Sequence, residues 1–251
     1  MNTRVIQPAA LLALGLLVAG CSTLPHTGPD TVAPLRTYDQ IVRDGEADPL
    51  NVPDAIEGFN RGAYRFNYYF DNYFFHPIVR GYEFVLPPYA QDRVSNALDN
   101  IGEFGNVTNN LLQLKLDGVG ITLGRLLINS TIGIAGLWDP ATPLGLTRQT
   151  QDFGRTLGHY GVGNGSYVVL PMFGPSNARD TAGLAVDAAA FSLVGPIAWV
   201  GEVGVSAGYA GLSAVDKRHR IPFQYRDTGS PFEYELLRML YSIQRESQVP
   251  D

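Results

Sequence analysis

The chain has 251 residues, enough for one large domain or two small ones with a sizeable core. Apolar residues make up 45% and charged residues only 17%, below the roughly 25% usual in soluble domains, so part of the surface is not built for water. A net charge of −6 argues against a nucleic-acid coat, which needs a basic face, and a single cysteine rules out an internal disulfide framework or a Cys-rich zinc knuckle.

Residues 1–20 carry one cation, Arg4, then the apolar run Ala9 to Ala19, which is the layout of a secretory signal. Leu17-Val18-Ala19-Gly20-Cys21 resembles the bacterial lipobox, where small residues open the bond before a cysteine that is diacylated on sulfur. Cys21 is then the first residue of the mature chain, and Ser22 after it fits sorting to the outer membrane. The alternative is an ordinary cleaved signal with an incidental cysteine. From Cys21 to Pro53 the chain is rich in Pro, Thr, Asp and Gly without periodicity and reads as a tether. The folded domain is expected over residues 54–251.

Asp54-Ala55-Ile56-Glu57 has capping-box spacing and predicts a helix start. Ala55, Phe59, Ala63, Phe66, Phe70 and Phe74 recur at three- and four-residue steps and predict one apolar face. Twelve of the 27 aromatics fall between Phe59 and Tyr89, a density suited either to a membrane–water interface or to an aromatic core. Pro87-Pro88 breaks the chain. Val94, Ala97, Leu98, Ile101, Phe104, Thr108 and Leu111 then trace a second apolar face, with Asn96, Asn100 and Asn110 on the other side, where solvated surface is the simpler reading and a wet cavity the other.

Between Gly118 and Gly133 almost everything is apolar or Gly except Thr122, Arg125 and Asn129, which share one narrow stripe. Such a helix fits surroundings of lipid or protein with a polar passage on the remaining side; the alternative is a core helix with Arg125 paired to a carboxylate. Gly133 to Pro143 predicts a loop or tight hairpin. Tyr167 to Leu170 is the best strand candidate. Ser176 to Val215 is mostly small and apolar, but its charge-free runs, Ala188 to Gly201 and Val203 to Val215, fall short of the ~20 residues a spanning helix needs, so leaflet-embedded helices fit better. Ser230-Pro231-Phe232-Glu233 is a second capping box; Leu236, Leu237, Leu240 and Ile243 are expected to be buried, with Glu235, Arg238 and Arg245 wet. The fold class is mainly α, one domain, with at most a minor β-hairpin.

No active site emerges. Gly204-Val205-Ser206-Ala207-Gly208 matches the GxSxG of hydrolases, so a serine lipid hydrolase is a rival reading. Its elbow needs a preceding strand and a well-separated acid and histidine, and His219 lies only 13 residues on. His26, His76, His159 and His219 show no zinc-binding spacing, and the Gly158 to Gly165 stretch lacks both nucleotide-binding patterns, so neither metal nor cofactor is expected. Sixteen of 18 basic residues are Arg, and Lys217-Arg218-His219-Arg220 is the one concentrated positive patch, suited to phosphate headgroups or to plain solvent.

Asp48-Pro49-Leu50, Gly58-Phe59-Asn60-Arg61, Phe66-Asn67, Asn129-Ser130-Thr131-Ile132-Gly133 with Trp138-Asp139, and the long run Phe153 to Gly163 together resemble the MlaA (VacJ-type) outer-membrane lipoproteins. Leu170-Pro171, Gly174-Pro175 and Arg179-Asp180 continue the likeness. The chain departs from the pattern by seven residues inserted between Leu50 and Gly58.

The resemblance implies a ring of helices in the inner leaflet of the outer membrane around a polar channel. It implies docking on a porin trimer and transfer of misplaced phospholipid to a periplasmic carrier that feeds an ABC-type transporter, maintaining lipid asymmetry without chemistry. A structural, porin-associated lipoprotein is the other non-enzymatic reading. Under the resemblance Asn60, Arg61, Asn67, Thr122, Arg125 and Asn129 belong to the lipid path, and Gly133, Gly136 and Trp138 to a gating hairpin that proline at 136 should stiffen. Phe59, Phe153, Gly154, Gly158, His159, Gly161 and Gly163 are then structural motif positions.

Overall fold

The computed structural model describes residues 52–226 and 232–249; the expected signal, Cys21, nearly all of the tether, and Ser230-Pro231 lie outside them. Helix α1 (Glu57–Phe70) runs through a π-helical turn (Asp71–Phe75) into α2 (His76–Val85) without a loop. Asp54 does not cap α1: Ile56 holds the cap position, and Asp54 instead accepts from the Asn60 amide at 2.6 Å and from the Tyr234 hydroxyl. Tertiary partners have taken the carboxylate that local capping would have used.

The apolar face of α1 points outward. Phe59 is 56% exposed and Phe66 and Phe74 about half exposed, whereas Asn60, Asn67 and Asp71 are buried; of the expected face Ala63 alone is fully inside. Leu86 is extended before Pro87-Pro88, the conformation that a following proline favours, and α3 (Pro88–Leu112) opens on its proline.

Helix α3 repeats the inversion. Its buried side chains are Gln91, Leu98, Asn100, Glu103, Asn106, Asn109 and Asn110, so the asparagine side read from sequence as solvated is the inward one, while Leu111 at the end of the apolar face is exposed. A tight turn with Leu114 at φ 56° reverses the chain into α4 (Leu116–Thr131), which returns antiparallel along α3. Only Thr122, Arg125 and Asn129 of α4 are buried, the same three that form the polar stripe in the sequence.

Asp152 caps α5 (Phe153–His159), accepting from the Arg155 amide at 2.8 Å. Strands β1 (Tyr167–Leu170) and β2 (Gly174–Asn177) form an antiparallel hairpin with Tyr167 opposite Asn177 and Leu170 opposite Gly174. The sequence reading found β1 and missed β2, whose Gly-Pro-Ser-Asn has no strand propensity and pairs because β1 presents an edge to it. Asn177 caps α6 (Ala178–Val194) at 2.7 Å; α7 (Val203–His219) and α8 (Glu233–Ser247) complete the described chain. Among the described residues no helix is long and apolar enough to cross a membrane.

Helices α5 and α6 touch backbone to backbone: a Cβ on Gly183 would overlap the main chain of Gly154. The small apolar cluster Ala63, Tyr167, Val169 and Tyr234 joins α1, β1 and α8. The expected burial of α8 is reversed: Leu236, Leu240 and Ile243 are exposed, Tyr234 and Ser242 buried, and Arg245 held in ion pairs. The inward side of α8 sets Tyr234 and Tyr241 against the apolar cluster and gives their hydroxyls, with Arg245, the carboxylates of Asp54, Asp152 and Asp180, so it is the side with polar tips that faces in.

Candidate functional site

The chain builds its interior from hydrogen-bonding groups. Arg125 lies at the centre of the α3–α4 pair, nearly sealed from solvent, with Nε donating to Glu103 Oε1 at 2.9 Å and Nη2 to Asp139 Oδ2 at 3.0 Å. Its Nη1 donates to Thr142 Oγ1 at 3.0 Å and to the Leu146 carbonyl at 2.6 Å. Arg125 is thus paired with carboxylates, as the second reading of the stripe expects, but α4 is no core helix, since Leu123 and Leu127 on its other sides are exposed. Burial raises the Asp139 carboxyl, but bonds from Thr142, Asn129 and Arg125 outweigh it and hold the group at about 2.

From Glu103 the polar contacts run along α3. Asn106 donates to Glu103 at 2.7 Å and accepts from the Gln151 amide at 2.8 Å; Gln113 donates to Gln151 and Thr156; Thr156 donates to Asn109 at 2.8 Å; Asn109 donates to Asp187 at 2.9 Å. Asp187 also accepts from the Phe153 amide at 2.8 Å, and burial pushes its carboxyl up. Beyond α5, Arg245 bridges Asp152 (2.8 Å) and Asp180 (2.6 Å), and Tyr241 and Arg179 add to Asp180. The sequence reading missed Glu103, Asn106, Asn109 and Gln113, although their three- and four-residue spacing on α3 was the available signal.

Not all the expected lipid-path residues meet here. Asn60 is a clasp for the hairpin, donating to the Tyr167 carbonyl at 3.0 Å and accepting from the Val169 amide at 2.8 Å. Asn67 does the same for its end, bonding the Leu170 carbonyl at 3.0 Å and the Met172 amide at 2.7 Å. Arg61 is solvent-exposed and paired with Glu57 and Glu235. Thr122 and Asn129 do share the α3–α4 interior with Arg125: Thr122 meets Asn110 at 3.3 Å, and Asn129 donates to Asp139 at 2.9 Å and accepts from the Ala141 amide at 3.1 Å.

The segment from Gly133 to Trp138 is a turn tied back to α4, with Gly136 N donating to the Asn129 carbonyl at 2.8 Å and Trp138 N to the Gly133 carbonyl at 3.0 Å. Trp138 covers the Arg93 guanidinium at 5.6 Å. Gly136 has φ +88°, and a Cβ there would sit 2.6 Å from the Asn100 side chain. Proline, fixed near −65°, therefore breaks this turn instead of stiffening it, a correction to the sequence expectation.

In the Phe153–Gly163 run, Gly154 and Gly158 allow close packing: a Cβ on Gly158 would crowd Val249 and Arg179. Gly161 takes a positive φ at the turn after α5, ahead of Gly163, and His159 packs edge-on against Tyr160. Phe59 lies on the exposed face of α1.

Ser206 sits in the first turns of α7, after Glu202 and not after a strand, so the GxSxG is a helical segment and not a nucleophile elbow. His219 meets Glu83 at 2.7 Å. The positive patch is largely neutralised internally, with Arg218 bidentate on Asp71 at 2.6 and 2.8 Å and Arg220 on Asp99 and Asp216. Among the described residues no group of three or more His, Cys, Asp or Glu is placed to hold a metal.

The family model for the MlaA lipoprotein matches residues 52–248. An uncharacterized protein of Rickettsia felis is 34% identical over 202 residues, covering 80% of this chain and 79% of that protein. The intermembrane phospholipid transport system lipoprotein MlaA of Shigella flexneri is 32% identical over 198 residues, covering 77% and 70%. A Rickettsia prowazekii protein is 43% identical over 131 residues, and the match spans about half (52%) of each chain. A solved structure described under "Structural basis for maintenance of bacterial outer membrane lipid asymmetry" superposes with a TM-score of 0.66 at 29% identity, covering 78% of this chain and 99% of that one. A mainly helical fold with one small hairpin, an interior of amides and ion pairs, and a matching family model over residues 52–248 lead to one assignment: the chain belongs to the MlaA lipoprotein family.

Proposed function

We propose that this protein is a lipid-anchored member of a phospholipid transport system on the periplasmic side of the outer membrane. Its helices lie in the inner leaflet, where it takes misplaced outer-leaflet phospholipid and passes it to a periplasmic carrier, preserving lipid asymmetry. The observation that carries the reading is the inversion of side chains. Among the described residues the buried apolar side chains are Ala63, Val79, Leu98, Ala141, Tyr167, Val169 and Tyr234, and buried polar ones outnumber them. Meanwhile Phe84 is 91%, Leu193 79% and Trp199 70% exposed.

In water such a surface is an aggregation hazard. In a leaflet the same residues are solvated by acyl chains, and short helices with aromatics at their edges fit a depth that stops short of spanning. A travelling phospholipid needs polar partners for its headgroup and apolar surroundings for its tails. The interior amides and ion pairs around Arg125 supply the first and the outer faces the second. In this reading the Arg125–Asp139 contact and the adjoining Gly133–Trp138 turn must part for a headgroup to pass, which makes that turn the gate, and a porin trimer is the membrane partner on which the protein docks. No covalent step is required.

The test is to extract the lipidated protein in mild detergent, incubate it with labelled phosphatidylethanolamine and analyse what co-purifies by mass spectrometry. Intact lipid on wild type and on Ser206→Ala alike is the expected result. Lysolipid that depends on Ser206 would replace the reading with a hydrolase; no bound lipid at all would leave a structural lipoprotein.

A further inference from the structure

Cations inside this fold are mostly spent on carboxylates, as Arg125, Arg148, Arg218, Arg220 and Arg245 show. Arg93, which has no such partner among the described residues, is covered instead by the rings of Tyr89 at 4.9 Å and Trp138 at 5.6 Å. Lys115 differs from all of these. It is half-buried in the turn between α3 and α4, and among the described residues no carboxylate lies within 4.0 Å of its ammonium.

Lys115 lines an open cleft of about 450 Å³ together with Asn110, Gln149 and Asp117. The amides there are loosely engaged: Asn110 Nδ2 reaches Thr122 at 3.3 Å and Gln149 Nε2 reaches the Thr147 carbonyl at 3.3 Å, both long for such bonds. The Gln149 amide, at the surface, can turn to a stronger acceptor, whereas Asn110 is 1% exposed and packed against Gly118 as the floor of the cleft. Leu114 and Leu116, both more than 70% exposed, line the same cleft. Burial, and then the field of Arg155, lower the Lys115 pKa, as expected of a positive charge that lacks a counter-ion.

Resting on the transport reading above, we infer that the cleft at the α3–α4 turn binds the phosphate of a phospholipid headgroup. The Lys115 ammonium and the Gln149 amide meet the phosphate oxygens, and the acyl chains lie over Leu114 and Leu116. Asp117, on the same rim, repels a second anion and suits the ammonium of an ethanolamine headgroup, so a zwitterionic lipid is the better fit than an anionic one. The first turn of α4 adds its positive dipole end to the phosphate position. A headgroup held at a turn edged by exposed leucines has its tails already in the leaflet, which is what a lipid entering or leaving the protein requires.

The full lipidated protein in mild detergent is titrated with dioctanoyl phosphatidylethanolamine, with dioctanoyl phosphatidylglycerol, with dioctanoylglycerol and with inorganic phosphate, reading bound ligand by native mass spectrometry. Wild type is expected to bind the phosphatidylethanolamine and not the glyceride. Lys115→Gln should weaken that binding about fivefold, the loss of one cation at a phosphate, while Lys115→Arg retains it. Arg80→Gln, an exposed cation elsewhere, should change nothing, and melting of each variant checks that it folds. Equal binding by Lys115→Gln and wild type overturns the site while leaving lipid binding, and hence the transport reading, standing. Failure of wild type to bind any phospholipid overturns the transport reading first and the site with it. Displacement of the lipid by equimolar inorganic phosphate assigns the cleft to free phosphate and overturns the headgroup.

Discussion

Replacing Arg125 by Leu removes four hydrogen bonds at once, to Glu103, Asp139, Thr142 and the Leu146 carbonyl. Asp139 keeps Asn129 at 2.9 Å and the Thr142 hydroxyl at 2.6 Å and is partly open to solvent, so its charge remains solvated. Glu103 is the liability. Its side chain is 1% exposed, and without Arg125 it retains the Asn106 amide at 2.7 Å and Arg148 at 3.6 Å. Breaking a buried pair from one side costs roughly 3–5 kcal/mol, and the two remaining partners set the expectation near the lower figure, about 3 kcal/mol. The double replacement Arg125→Leu with Glu103→Leu removes the stranded charge and should recover all but about 1–2 kcal/mol. Denaturant unfolding in mild detergent, followed by Trp fluorescence with Trp138 beside the network, measures both. A single variant within about 1 kcal/mol of wild type, or a double variant less stable than the single, would refute the claim that a paired arginine holds α3 to α4.

Asn60→Ala leaves the Val169 amide and Tyr167 carbonyl without their side-chain partner and should cost about 1–3 kcal/mol, with faster hydrogen exchange at Val169; unchanged exchange there would rule out the clasp. Gly183→Ala places a methyl against the Gly154 backbone, which cannot yield as a side chain does, so a loss of about 1–3 kcal/mol is expected, against little change for Gly58→Ala, where no atom lies within 4 Å. Asp139 has its folded value near 2, below the unfolded value of 3.8, so its contribution is fully present above the unfolded value and is lost as pH falls toward 2. Asp139→Asn should flatten that acid limb, and identical acid transitions in the two proteins would remove Asp139 from the account.

Periodicity located most helices because helix formation depends on local spacing. α4 and its stripe, the proline break before α3, the strand at Tyr167 and the shortness of the apolar runs in α6 and α7 were all legible from residue order. So was the MlaA likeness, carried by long contiguous runs such as Phe153 to Gly163. Periodicity also showed that α1, α3 and α8 have two unlike faces, but an amphipathic pattern is silent about which face meets the interior. Its usual assignment assumes water outside. In α1 and α8 that assumption buried Phe59 and Leu240, and the fold exposes both.

The direction of those faces was settled by contacts between distant segments: Asn60 with Val169, Glu103 with Arg125, Arg245 with Asp152 and Asp180. The same contacts drew Asp54 away from its cap and enlisted Gly174–Asn177 as a strand. A buried polar group is stable only where its partners complete its hydrogen bonds, and those partners come from segments far apart in the chain. Local sequence therefore specified the helices and the polar stripes upon them, while three-dimensional pairing turned the stripes inward and left the apolar faces exposed.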